Sequence, residues 1–249
     1  MARQTGLIKI KGTLDNVNFY KTKDGDLARM KTSVDADRIK NDPAYIRTRE
    51  NNAEFGNSAS AGKMMRDAVR SMALNAADGR VTSRLTKTMS QIKNLDATSV
   101  RGERNVAEGV QDPNALLLIK GFDFNKEALL NTILYNPFSV DTNSGEIIIE
   151  DLTPQVDIVW PQGATHISFT AGFAGVDFSN GDKDLEISNT VNLPIDMVMS
   201  TVTLTPGAAP AVAGVNLYLL KIEFFQEVNG VQYTLKNDAY NALKVVEVQ

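Results

Sequence analysis

The sequence predicts an α+β chain: an N-terminal β-meander and two amphipathic helices, then an antiparallel β-sandwich of the Ig-like or jelly-roll kind. Three observations carry this. Apolar residues recur at helical steps before about residue 110, and gather into short β-branched and aromatic runs after it. Asp-Gly and Asn-Gly pairs fall between alternating segments, where tight hairpins form. The net charge of −4 is divided: residues 1–110 hold 20 Lys and Arg against 13 Asp and Glu, and residues 111–249 hold 6 against 17. The expected division is therefore a basic segment, 1–110, and an acidic domain, 111–249.

The meander is expected first. LIKIK alternates apolar and basic residues, VNFYK follows, and Asp24-Gly25 supplies a two-residue turn before LARMK. A second turn is expected at Asp15-Asn16. A meander this small buries no core of its own and needs a surface to pack on.

Asp42 is then a suitable N-cap, with Pro43 at the first helical position, where proline is tolerated. A helix is expected from there to about Asn75, with Phe55, Ala59, Gly62, Met65, Val69 and Met72 as its apolar stripe. Its GNSASAG centre implies either a break or the close approach of another backbone, because each glycine costs a helix about 1 kcal/mol. Asp78-Gly79 separates a second helix, whose stripe is Val81, Leu85, Met89, Ile92 and Leu95.

Beyond about Gln111 the runs ALLLIKGF, EIIIED, VDIVW, HISFTAGF, MVMSTVTL, VNLYLLKIEFF, VQYTL and LKVVEV are expected as strands. One helix is expected over Asn125–Tyr135, with Leu130, Ile133 and Leu134 inward, and a tight turn at Asn229-Gly230.

The opening also resembles uncharacterised short proteins encoded by Bacteroidota. The likeness rests on the hairpin GLIKIKGTLDNVNFYKTKDG, the basic strand LARMK, the helix start RTRENNAEFG and the β-rich C-terminal half. It implies a bacterial origin and this architecture, and supplies no activity and no catalytic residue.

Composition removes several chemistries. The chain has no cysteine, which excludes disulfides, thiolate metal sites and cysteine nucleophiles. Its one histidine, His166, excludes multi-histidine metal sites. MARQTGLIKIKG is followed by no apolar signal core, and no apolar run approaches the roughly 20 residues of a membrane span. A cytoplasmic protein is expected, or one released as part of an assembly.

Candidate sites are few. VDFSNGDKDLE places Asp177, Asn180, Asp182 and Asp184 on a glycine-containing turn, a weak Ca²⁺ candidate by its oxygen ligands. Its spacing departs from the EF-hand loop, and a solvated turn explains the same residues. His166 lacks a nucleophile-elbow motif and is expected to make a structural hydrogen bond. Lys63 after Gly62 lacks the P-loop pattern. No cofactor and no catalytic residue is expected. Lys9, Lys11, Lys21, Lys23, Arg47, Arg49, Arg66, Arg70, Arg80 and Arg84 could meet phosphates, but interspersed acids favour a salt-bridging face over nucleic acid.

The functional expectation is a non-enzymatic structural protein that self-assembles into a homo-oligomer or filament. The basic N-terminal segment of one copy would meet the acidic β-domain of the next. Lys9, Lys11, Phe19, Tyr20, Arg47, Arg49, Phe55, Gly56 and Gly62 are the residues expected at such contacts. The alternatives are a module that binds protein or carbohydrate through sandwich loops, with Trp160 or Tyr240 as candidate aromatics, and a nucleic-acid-associated protein.

Overall fold

The computed structural model describes residues 2–31, 36–235 and 240–249. It is a mixed α and β chain with antiparallel sheets, one of them curled into a half-barrel. The chain divides into two compact units, residues 1–49 and residues 50–249.

In the first unit β1 (Ala2–Arg3), β2 (Gly12–Leu14), β3 (Val17–Thr22) and β4 (Gly25–Met30) form a sheet in the order β1-β4-β3-β2. Leu14 pairs with Val17, and Asp15 takes φ +50° in the turn between them. Thr22 pairs with Gly25, so the second turn is centred on Lys23-Asp24, one residue earlier than expected. The Thr22 hydroxyl accepts the Asp24 N–H at 3.2 Å, and Gly25 opens β4 at φ +116°. A second departure is that LIKIK is not a strand but a loop between β1 and β2. A short helix α1 (Ala36–Asn41) follows. Asp42 caps the 3-10 turn Pro43–Tyr45 by accepting the Ala44 N–H at 2.9 Å, and this turn leads into α2 (Ile46–Ala68).

In the second unit α2 is continuous through GNSASAG, so close backbone approach, and not a break, accounts for the small residues. A Cβ on Gly62 would lie 3.3 Å from the Leu85 carbonyl carbon. The helix ends at Ala68, Val69 forms a turn, and α3 (Arg70–Ala73) completes the segment. In α4 (Val81–Lys93) the expected stripe is buried at Val81, Leu85, Met89 and Ile92. The stripe of α2 runs through Glu54, Ser58, Ala61, Gly62 and Met65, and Phe55 lies off it at 62 % exposure.

Short helices α5 (Val106–Gly109), α6 (Pro113–Ile119), α7 (Leu130–Ile133) and α8 (Pro154–Asp157) follow. Two of them overturn expected strands. ALLLI lies in α6 because Asp112 accepts the Asn114 N–H and Pro113 takes N1, and only one face, Ala115 and Ile119, is then fully buried. VDIVW begins in α8, with Pro154 at N1, and only Ile158 bridges to Leu134. The helix expected over Asn125–Tyr135 contracts to α7, with Leu130, Ile133 and Leu134 buried as expected.

Strand β10 (Val215–Val228) is the hub of the larger sheet. From Val215 to Phe225 it pairs with β7 (His166–Val176), whose other edge takes β8 (Lys183–Pro194). The opposite edge of β10 takes β12 (Ala242–Val248) and then β11 (Val231–Thr234). A smaller sheet has the order β5-β6-β9, from β5 (Ser139–Val140), β6 (Ile147–Leu152) and β9 (Ser200–Leu204). The long strand β8 escapes the sequence reading because it carries an extra residue between Ile187 and Thr190, opposite Ala171 of β7, which shifts the phase of its alternation.

The two faces of the larger sheet bury different cores. Leu217, Leu219, Ala174 and Val245 pack with Met65, Leu85, Met89 and Ile119 from the helices. Leu220, Ile222, Phe224 and Phe169 pack with Ile147, Ile149, Val202 and Leu204 of the smaller sheet. The helices before Gln111 thus share a core with strands that follow it, and the division between compact units falls at Arg49, far upstream.

Candidate functional site

The first unit has a sheet without a core. Among the described residues of 1–49 none is buried. Phe19 and Tyr20 of β3 are half-buried, and the Arg29 guanidinium stands 5.3 Å from the Tyr20 ring centroid. Lys9 and Lys11 are exposed on the β1–β2 loop, where Leu7 is fully exposed and Ile8 is 85 % exposed. Gln4 organises this loop. Its side-chain oxygen accepts the Ile10 N–H at 2.9 Å, and its side-chain nitrogen donates to the Ile10 carbonyl at 3.2 Å. One carboxamide therefore supplies what a neighbouring strand would. Lys9 Nζ donates to the Gln4 carbonyl.

The other expected contact residues do not form one patch. Arg47 is exposed, whereas Arg49 Nη1 donates to the Ile39 and Asp42 carbonyls at 2.9 and 3.0 Å. Phe55 and Gly56 are exposed, and nothing lies within 4 Å of a Cβ built on Gly56. Gly62 faces α4 of its own chain. Among the remaining basic residues, Arg66 donates to Thr82 Oγ1 at 2.7 Å. Arg84 donates to the Asp123 and Phe124 carbonyls, pairs with Asp78 and lies over the Phe122 ring. These guanidiniums act as internal clamps.

The acidic turn is engaged by its own backbone. Asp177 accepts the Ser179 N–H and hydroxyl at 2.8 and 2.6 Å, and these bonds hold its carboxyl below the usual range. Asn180 accepts the Asp182 N–H, and Asp184 accepts from Leu185 and Ala211 N–H groups. Among the described residues no group of three or more His, Cys, Asp or Glu is placed to hold a metal. A cavity of about 370 Å³ beside this turn is lined by Ala107, Val110, Leu116, Val176, Phe178 and Val215 together with the polar Gln111, Asp177, Ser179 and Gln249.

His166 shares a 2.9 Å hydrogen bond with Thr165 Oγ1, and its Nε2 lies 3.6 Å from Glu227. Lys63 lies within α2, not on a loop. Trp160 lies outside any strand and is 36 % exposed, whereas Tyr240 packs edge-on against Phe224. Two further carboxylates are shifted inside the fold, in opposite directions. Burial pushes Asp123 up, against the Leu130 N–H and the charges of Lys244 and Arg84. At Asp96 burial opposes ionisation, but donors from Ser99, Asn105 and Thr98 outweigh it and hold the carboxyl well below its usual range. Both serve chain junctions.

Sequence reasoning missed the β10–β11 hairpin as a surface. The turn at Asn229-Gly230 is as expected, with φ +53° and +77°. Beyond the Phe225–His166 pair, however, β10 leaves β7 and continues with β11 alone. Val228, Val231 and Tyr233 are all exposed on this projection. The alternation in VQYT after Asn-Gly was the available signal. No family model, curated protein or solved structure matches the chain. No helix of the described residues is long and apolar enough to cross a membrane.

Proposed function

We propose that the protein is a non-enzymatic structural component that assembles with copies of itself, its basic N-terminal unit meeting the acidic β-rich unit of the next copy. The observation that carries this is the four-stranded N-terminal sheet in which no described residue is buried. A sheet of that size gains little from its own packing and is completed by a surface that covers it. Charge supports the pairing. Residues 1–49 hold 11 basic and 6 acidic side chains, and residues 50–249 hold 15 and 24. A contact between unlike surfaces is heterologous and propagates into rings or filaments. The resemblance to Bacteroidota proteins fits a bacterial assembly component, acting in the cytoplasm or released with the assembly. The two sheets that share the Ile147–Phe169–Leu220 core support a sandwich as the architecture that presents these surfaces.

A second reading, a binding module, draws on Met197, Val198 and Met199, exposed together in the β8–β9 turn. The Gln155 N–H donates to the Asp196 carbonyl at 3.0 Å, which brings exposed Val156 beside them. Light scattering on nucleic-acid-free protein at low and high salt, with negative-stain images of each fraction, separates the readings. Self-assembly gives regular particles or fibres that loosen with salt. A strict monomer at every concentration and salt overturns it and turns attention to the Met197–Met199 tip.

A further inference from the structure

We propose that the Gly6–Lys11 loop of one copy adds as a strand to the free edge of β11 in a second copy. This rests on the self-assembly reading and names the elements that make the contact. The first argument is a mismatch between pattern and pairing. Leu7–Lys11 alternates as a strand does, yet among the described residues no strand pairs with it. In extended form Ile8 and Ile10 occupy one face, and Lys9 and Lys11 the other.

Backbone groups give the second argument. Main-chain N–H and C=O groups alternate sides along a strand, and Gln4 engages those of Ile10. In extended form, with Ile10 facing Gln4, Leu7, Lys9 and Lys11 would turn their main-chain groups to the opposite edge. On β11 the phase is complementary. Val231 and Tyr233 pair inward with β10, and the Leu235 N–H continues this phase by donating to the Phe224 carbonyl at 2.9 Å. Gln232 and Thr234 therefore turn their main-chain groups outward. Among the described residues no strand pairs with that edge.

Face chemistry gives the third. On the hairpin, Val228 lies opposite Val231 and Gln226 opposite Tyr233, which makes one face largely apolar. Glu227 lies opposite Gln232 on the other face, and Glu223, four positions earlier on β10, is paired with Lys221. No Lys or Arg occurs between Ile222 and Leu235. An added strand sets Ile8 and Ile10 beside Val231 and Tyr233, and sets Lys9 and Lys11 on the face of Glu227. Reversing the faces would place both lysines on the apolar side, so the match selects one orientation. Strand addition of this kind draws affinity from main-chain bonds and specificity from alternate side chains.

The cysteine-free chain makes the test direct. Full-length Ile8→Cys and Tyr233→Cys chains, one carrying a mass tag, are mixed under mild oxidation, with Lys9→Cys plus Tyr233→Cys as the wrong-face control. Circular dichroism checks that each variant is folded. The expected result is a mixed disulfide for the first pair at least tenfold above the control, abolished by Ile10→Asp in the tagged chain. Equal yields, or none while light scattering shows association, overturn strand addition and leave self-assembly standing. Cross-linking of an Ile8→Cys/Tyr233→Cys double variant only within single chains overturns the second copy as occupant. Chains that stay monomeric and fail to cross-link overturn both readings.

Discussion

The carboxylate of Glu54 and the ammonium of Lys93 form an ion pair between α2 and α4, with side chains only 9 % and 11 % exposed. The other oxygen of Glu54 accepts the Gly102 N–H at 2.8 Å, so one carboxylate ties three segments together. Removing one partner strands a buried charge. Lys93→Met is expected to cost about 3–5 kcal/mol in chemical denaturation. The Glu54→Leu/Lys93→Met double variant is expected to cost less than either single change, since it leaves no unpaired charge. A double variant as unstable as the sum of the singles would contradict this account.

Acid should weaken the same junction. Lys93 first, then the Gly102 N–H, hold Glu54 below its usual range, and the donors around Asp96 do the same against its burial. The unfolded chain therefore takes up these protons first as pH falls. The stability they contribute is complete above about pH 4.5 and is lost as pH drops through the lower folded values. Denaturant midpoints measured between about pH 7 and pH 2.5 are expected to fall mainly below pH 4.5. Asp96→Asn should flatten that dependence and lower the midpoint at neutral pH, by about 1–3 kcal/mol.

Two glycines on α2 should respond in opposite directions. A Cβ at Gly56 meets nothing within 4 Å, so Gly56→Ala is expected to stabilise the chain by about 0.5–1 kcal/mol through helix propensity. At Gly62 the same atom would sit 3.3 Å from the α4 backbone, and Gly62→Val is expected to destabilise by about 1–3 kcal/mol. If Gly56 lies at a subunit contact, Gly56→Ala will also weaken association while it raises the melting temperature.

Charge reversal on the N-terminal loop reports on assembly. Lys9→Glu/Lys11→Glu is expected to weaken association at low salt at least tenfold and to flatten its salt dependence, read by light scattering. Because both side chains are exposed, the circular dichroism spectrum should not change. Association that keeps its strength and its salt slope would remove the lysines from the interface.

Much of the local structure was legible in the sequence because its signals are local. Asn229-Gly230 demanded left-handed backbone at adjacent positions, Asp42-Pro43 marked a helical start, and the Val81–Ile92 stripe marked a buried face. Apolar runs were less informative. ALLLI fits a helix or a strand until the Asp112-Pro113 cap and the burial of Ala115 and Ile119 decide it, and a bulge concealed β8 by shifting its phase.

By itself the sequence determined the mixed class of the fold, the absence of thiol chemistry, and the opposition between a basic beginning and an acidic remainder. These follow from composition and short-range pattern. Only the tertiary structure decided which patterns are satisfied. It joined helices before Gln111 to strands after it in one core, turned Phe55 outward and buried Glu54 in its place. It also left LIKIK, a strand by pattern, without a strand beside it. Burial and pairing depend on neighbours remote in the chain, and alternation records the side chains a strand would present without recording the partner that would receive them.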